Sequence, residues 1–218
     1  MKQFLLFLLL ACNIDASAQT AHAYADQIQV LKQYDLEYKQ PAHPIVFVGS
    51  SSIRKWEHLQ MAFGNYNVIN RGIGGAVIAD ISFYLSELIT VYQPRQIVLY
   101  IGENDLPDSN LSAEAIFNGI RNLISQIQKK LPDVPIVYIG MKPSPSRIKF
   151  IKKAISANLL IRNYLSTQKR VIFVDVFSLM LDKNKQPRSE LFISDQLHMN
   201  LAGYSIWEHA VKQYLILK

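Results

Sequence analysis

The sequence predicts an α/β fold: a three-layer α/β/α sandwich around a doubly wound, five-stranded parallel sheet of the flavodoxin kind. Three observations predict it. Short runs of residues that are apolar throughout recur along the chain; three of them stop at a glycine; and longer segments of helical period separate them. A strand without polar alternation belongs to a parallel sheet covered on both faces. Crossovers long enough to hold a helix give right-handed βαβ units and a doubly wound order.

The elements follow in order. Residues 24–38 read as the first helix. Ile45-Val46-Phe47-Val48 is the first strand, ended by Gly49, and Asn67-Val68-Ile69-Asn70 the second, ended by Gly72. Residues 77–92 form a helix that Pro94 closes off, since proline lacks the N–H a helix needs. Ile97-Val98-Leu99-Tyr100-Ile101 is the third strand, ended by Gly102. In residues 112–131 the apolar positions Ile116, Ile120, Leu123, Ile124, Ile127 and Leu131 share one stripe, and Pro132 stops the helix. Ile136-Val137-Tyr138-Ile139, residues 149–167 and Val171-Ile172-Phe173-Val174 supply strand, helix and strand. The last helix covers residues 201–216. With no internal repeat, low-complexity stretch or linker, residues 19–218 read as one domain.

A chain of 218 residues, half of them apolar and 18% charged, suits one sizeable core. The net charge of +6 comes from scattered Lys and Arg. Nucleic-acid binding would need a concentrated basic stripe with interleaved aromatics, so nucleic acid is excluded as a partner. Lys2, the apolar run Phe4 to Ala11 and then Ala16-Ser17-Ala18 are the parts of a secretory signal peptide, with cleavage before Gln19. The run is too short for a bilayer span, which takes about 20 residues. A secreted or periplasmic protein is expected. Cys12, the only cysteine, follows Leu9-Leu10-Ala11, which resembles a lipoprotein box and would tether the protein instead.

In open α/β sheets the ligand crevice lies beyond the carboxyl ends of the strands, where strand order reverses. Four segments that packing does not explain belong there: Gly49-Ser50-Ser51-Ser52, Gly72-Ile73-Gly74-Gly75, Gly102-Glu103-Asn104-Asp105 and Asp195-Gln196-Leu197-His198. Together they hold a hydrolase's parts. A serine hydroxyl needs an adjacent base, for which histidine is suited, and the histidine needs a carboxylate to fix its tautomer. Asp195 and His198, three residues apart, meet that need. The N–H groups of Ser51 and Gly75 and the side-chain amide of Asn104 are candidate oxyanion donors. A Cβ at position 75 would obstruct close approach of the backbone to substrate. Singly, each segment also reads as a turn or helix cap; His22, His43, His58 and His209 have no patterned partner.

These four blocks resemble those of the SGNH hydrolase superfamily, the GDSL-type esterases and lipases, over residues 43–210. The resemblance implies Ser51 as nucleophile, His198 and Asp195 completing the triad, and Gly75 and Asn104 in the oxyanion hole. It implies no metal and no organic cofactor. It departs at one point, Gly-Asp-Ser becoming Gly49-Ser50-Ser51. It also places Met141-Lys142-Pro143-Ser144-Pro145-Ser146-Arg147 at a variable substrate wall. The expected function is hydrolysis of short acyl esters, acetyl foremost, of carbohydrates or lipids. An acyltransferase or a non-catalytic glycan-binding protein on the same fold are the alternatives.

Overall fold

A computed structural model describes residues 22–217. The signal peptide, its cleavage site and Cys12 lie outside the described residues. Five strands, β1 (Ile45–Gly49), β2 (Val68–Gly72), β3 (Gln96–Tyr100), β4 (Ile136–Ile139) and β5 (Val171–Val174), pair in the order β2-β1-β3-β4-β5. Every pairing is parallel. This is the doubly wound order expected, with its switch point between β1 and β3.

Alternate strand residues feed two cores. Val46, Val48, Ile97 and Leu99 face helices α1 (Ala25–Glu37), α4 (Ile78–Phe83), α5 (Leu85–Leu88), α6 (Ala113–Lys130) and α7 (Ile151–Leu165). Ile45, Phe47, Val98 and Tyr100 face α2 (Ser51–Arg54), α3 (Leu59–Ala62) and α8 (Leu201–Lys212). The stripe expected on α6 is buried from Ile116 to Ile127, and Ser112 caps its start by accepting from Ala115 N–H at 3.1 Å.

Three boundaries differ from the sequence expectation. Strand β2 runs on through Arg71 and Gly72, because the guanidinium, only 3% exposed, is paired with Asp35 of α1 and Tyr92. The charge is thereby neutralised across the fold. The helix expected over residues 77–92 is broken at Tyr84 and tightens into a 3₁₀ turn over Thr90–Tyr92. There the β-branched Ile89, Thr90 and Val91 crowd the preceding turn. The last helix stops at Lys212 rather than 216, because Gln96 takes hold of the chain beyond it. Its amide donates to Tyr214 O at 2.7 Å and accepts from Ile216 N–H at 2.9 Å.

Strand register sets the level of the site. Gly49 stands opposite both Gly72 and Tyr100, so β1, β2 and β3 end together. Gly49 is irreplaceable there: its φ is +145°, and a Cβ would lie 1.8 Å from Tyr100 O.

Candidate active site

The chain leaves β1 and turns at once into α2. Ser50 N–H donates to Tyr100 O at 3.1 Å, and Ile53 N–H donates back to Ser50 O at 3.0 Å. Ser50 and Ser52 are buried at 2% and 1% exposure, whereas Ser51, at the first position of α2, is partly open. Of three consecutive serines, only the middle one reaches solvent. A helix start also leaves N–H groups without intrahelical partners, and Ser51 N–H donates to no acceptor among the described residues.

Residues 195–198 sit on a short hairpin closed at its base by the Phe192–Met199 bridge and by Ile193 N–H donating to His198 O at 2.9 Å. Within it, Asp195 Oδ1 accepts from the N–H groups of Leu197 and His198, both at 2.9 Å, which is the self-bonding turn aspartate favours. Oδ2 is thereby aimed at the ring of its neighbour: His198 Nδ1 lies 2.6 Å from it. A carboxylate only accepts, so Nδ1 carries the proton and Nε2 is left as an acceptor. Ser51 Oγ lies 2.9 Å from Nε2. Burial disfavours the Asp195 charge, but the His198 ring and the two backbone N–H groups outweigh it and bring the carboxyl down to about 2.

The structure brings Asn104 and the Gly75 loop together as well. Asn104 Nδ2 donates to Ala76 O at 3.0 Å, tying the amide to the peptide that follows Gly75 and leaving its second N–H available. Gly75 itself is exposed and its N–H donates to no acceptor among the described residues. The structure adds a backbone reason for glycine to the one the sequence suggested. Its φ of +85° is one that residues with a side chain rarely adopt, and a Cβ there would face Tyr24 Oη at 3.2 Å. Asp105 holds the same loop from below, accepting from Ile78 N–H at 3.3 Å. Burial, the largest influence, pushes its carboxyl up to about 7.

Sequence reasoning missed two groups of residues around the site. Helix α1 folds over the glycine loop, where Gln27 Oε1 accepts from Gly74 N–H at 3.1 Å. Nothing local marked Gln27. In the segment expected at a substrate wall, Met141 to Ser144 are buried, while Pro145, Ser146 and Arg147 reach the surface. Lys142, 1% exposed, pairs with Glu103, which also accepts from Ser144 Oγ and from Tyr100 Oη. A cavity of about 410 Å³ borders His198, with Lys55, Trp56, Ile193, Met199 and Tyr204 among its walls. A larger one, about 620 Å³, lies between α1 and residues 54–60 and touches no triad residue. Among the described residues no three His, Cys, Asp or Glu side chains are grouped to hold a metal ion. No helix among them is long and apolar enough to cross a membrane.

A serine, a histidine and an aspartate stand in hydrogen-bonded line at the switch point of the parallel sheet, the arrangement that a nucleophile, a base and an orienting carboxylate require. The sequence pattern of the GDSL-like lipase/acylhydrolase family matches residues 47–206, and the chain belongs to that family. It is 26% identical over 154 residues to platelet-activating factor acetylhydrolase IB subunit alpha2 of Rattus norvegicus, covering 66% of this chain and 64% of that protein. The chain thus matches a little under two thirds of that curated relative. A GDSL-like lipase from Bacteroides thetaiotaomicron superposes with a TM-score of 0.74 at 20% identity, over 86% of this chain and 96% of that one. An acetyl xylan esterase from Geobacillus stearothermophilus gives a TM-score of 0.62 at 15% identity, over 83% and 98%. At those identities the two structures share the fold.

Proposed function

We propose that the protein is a serine esterase that cleaves short-chain acyl esters, acetyl foremost, of carbohydrates or lipids through an acyl-enzyme. The observation that carries this reading is the line from Ser51 Oγ to His198 Nε2 at 2.9 Å and from His198 Nδ1 to Asp195 Oδ2 at 2.6 Å. Ser51 Oγ attacks the ester carbonyl carbon while its proton passes to His198 Nε2. The carbonyl oxygen takes up negative charge between Ser51 N–H, Gly75 N–H and the Asn104 amide. As the tetrahedral species collapses, the C–O bond to the alcohol breaks and the alcohol leaves with the proton from His198. Water then attacks the acyl-serine, His198 takes its proton, and the acid departs as that proton returns to Ser51.

One observation supports short acyl groups: the rat relative bears the name of an acetylhydrolase. The test is a panel of p-nitrophenyl esters of rising chain length, with acetylated oligosaccharides and a lysophospholipid alongside. Turnover should peak at the acetyl ester and vanish in Ser51→Ala, while Ser50→Ala and Ser52→Ala stay folded and active. Wild-type turnover by Ser51→Ala would overturn the reading. The leader at residues 1–18 supports a secreted or periplasmic location, for which a mature mass beginning at Gln19 is the check. A lipidated Cys12 would overturn that cleavage.

A further inference from the structure

The reaction above leaves unused a cluster of four buried groups, Tyr100, Glu103, Lys142 and Ser144. Glu103, 3% exposed, stands immediately before Asn104, in the 3₁₀ turn Glu103–Asp105 that follows β3. One of its carboxylate oxygens accepts from both Lys142 Nζ and Tyr100 Oη, the latter at 2.7 Å, and the other accepts from Ser144 Oγ. Lys142 and Ser144 belong to the segment that follows β4, whose backbone is fixed in turn by Asn158 of α7. The Asn158 side chain accepts from Met141 N–H and donates to Met141 O, each at 2.9 Å. Two residues past Ser144 the same segment reaches the triad hairpin, where Ser146 N–H donates to Gln196 O at 3.0 Å. Gln196 lies between Asp195 and His198.

We infer that the buried Glu103–Lys142–Ser144 cluster is a brace that positions the Asn104 amide and holds the β3 turn and the triad hairpin at one spacing. The inference rests on Asn104 acting as an oxyanion donor, as proposed above. Its physical ground is the cost of burying charge. Two ions taken out of water are worth less to stability than an apolar pair of the same volume. What they add is direction: each donor and acceptor has one place to be, and a mis-set loop leaves a charge unsatisfied. A donor that must meet a developing oxyanion gains from that rigidity, since catalytic geometry tolerates displacements of only a fraction of an ångström. None of these residues touches the reacting atoms; they act through Asn104 and Gln196.

The experiment separates positioning from folding by removing both charges together. Single substitution of Lys142 would strand a buried carboxylate, so the informative protein is the double variant Glu103→Leu/Lys142→Met. Its thermal midpoint is expected somewhat below the wild-type value with a single cooperative transition retained, because no charge is left unpaired while the Tyr100 and Ser144 hydroxyls lose their acceptor. Its kcat on p-nitrophenyl acetate is expected to fall at least tenfold with KM within about twofold. Asn104→Ala is then made in both backgrounds. If the brace acts through Asn104, that substitution costs less in the double variant than in wild type, by about the factor the double variant has already lost. Ser144→Ala, which removes one hydroxyl, provides a second and milder probe, with a several-fold fall in kcat at unchanged KM. A double variant with wild-type kcat overturns the brace, and so do fully multiplicative losses. If the double variant does not fold, Ser144→Ala decides: wild-type kcat there overturns the brace equally. If instead Asn104→Ala is harmless in the wild-type background, the oxyanion assignment of the proposed function fails first.

Discussion

Asp195→Asn is expected to be the most damaging conservative change in the triad, and the geometry says why. Asp195 Oδ1 is held by two backbone N–H groups, those of Leu197 and His198, at 2.9 Å each. An asparagine can satisfy both only with its carbonyl oxygen in that place, which turns its NH₂ toward His198 Nδ1. Two donors cannot face each other, so Nδ1 gives up its proton and Nε2 carries it. The ring then donates toward Ser51 Oγ at 2.9 Å and can no longer accept from it. In a triad whose carboxylate is replaced in this way the loss is about 10⁴ in kcat, or roughly 5.5 kcal/mol of barrier. Asp195 is 43% exposed, so water screens the purely Coulombic share of its effect. The tautomeric share is a matter of which nitrogen bears hydrogen, and screening does not touch it. The fall should therefore persist in about 0.5 M salt, where surface electrostatics is largely damped. Steady-state hydrolysis of p-nitrophenyl acetate at low and high salt, with a thermal midpoint as control, measures it. A folded Asp195→Asn protein within tenfold of wild-type kcat would refute the reasoning.

Two further outcomes are expected. Asn104→Ala should lower kcat by about 10²–10³ with a modest change in KM and little loss of thermal stability, because an oxyanion donor bonds hardest in the transition state; a destabilised variant with near-normal kcat would assign Asn104 to the turn alone. Asp105→Asn should gain stability relative to wild type as pH rises. The Asp105 carboxyl, pushed up to about 7 by burial, keeps its proton in the folded state where the unfolded chain has released it. Wild-type stability therefore declines between about pH 4 and 7, by up to roughly 1.4 kcal/mol per pH unit, and levels off above. Urea unfolding of both proteins at several pH values reads the difference, and parallel curves would rule the linkage out.

The elements legible in the sequence were those whose cause is local. Ile97 to Tyr100 and Ile136 to Ile139 are apolar on both faces and could be little else, and the α6 stripe from Ile116 to Ile127 reads directly as a helix face. Three of the four blocks were legible because each stands at a strand end, and the parallel order brings strand ends to one rim; the fourth, Asp195 to His198, lies on a hairpin well past β5 and was legible from its spacing alone. What stayed hidden depends on partners distant in sequence. That β2 runs on through Arg71 was hidden because Asp35, its partner, is 36 residues earlier. Nothing local marked Lys142, between Met141 and Pro143, as buried, because its partner Glu103 is 39 residues away. Gly75 was recognised for a neighbouring substrate, while the backbone reason for it, a φ of +85°, could not be read from the sequence. A motif states which residue types are present; it does not state the backbone reason for them.

The two carboxylates of the site, each with its partner, are opposites in exposure, and the contrast bears on how the site works. Lys142 and Glu103 have side chains exposed by 0% and 4%, while His198 and Asp195 are exposed by 15% and 43%. A carboxylate can be kept charged by water or by hydrogen bonds. Asp195, open to solvent and bonded by the His198 ring and two backbone N–H groups, has both, and stays ionised well below the pH of any assay. It therefore contributes no limb to the pH profile of activity above about pH 3, and its contribution to stability is lost only as pH falls toward 2. The buried pair has no water to substitute for a missing partner, so its geometry is all or nothing. Rigid charge thus lies beneath the oxyanion donor and hydrated charge lies at the general base. That division suits each task. The donor must not move as charge develops on the substrate, while the base exchanges protons with an alcohol and then with water that has to reach it.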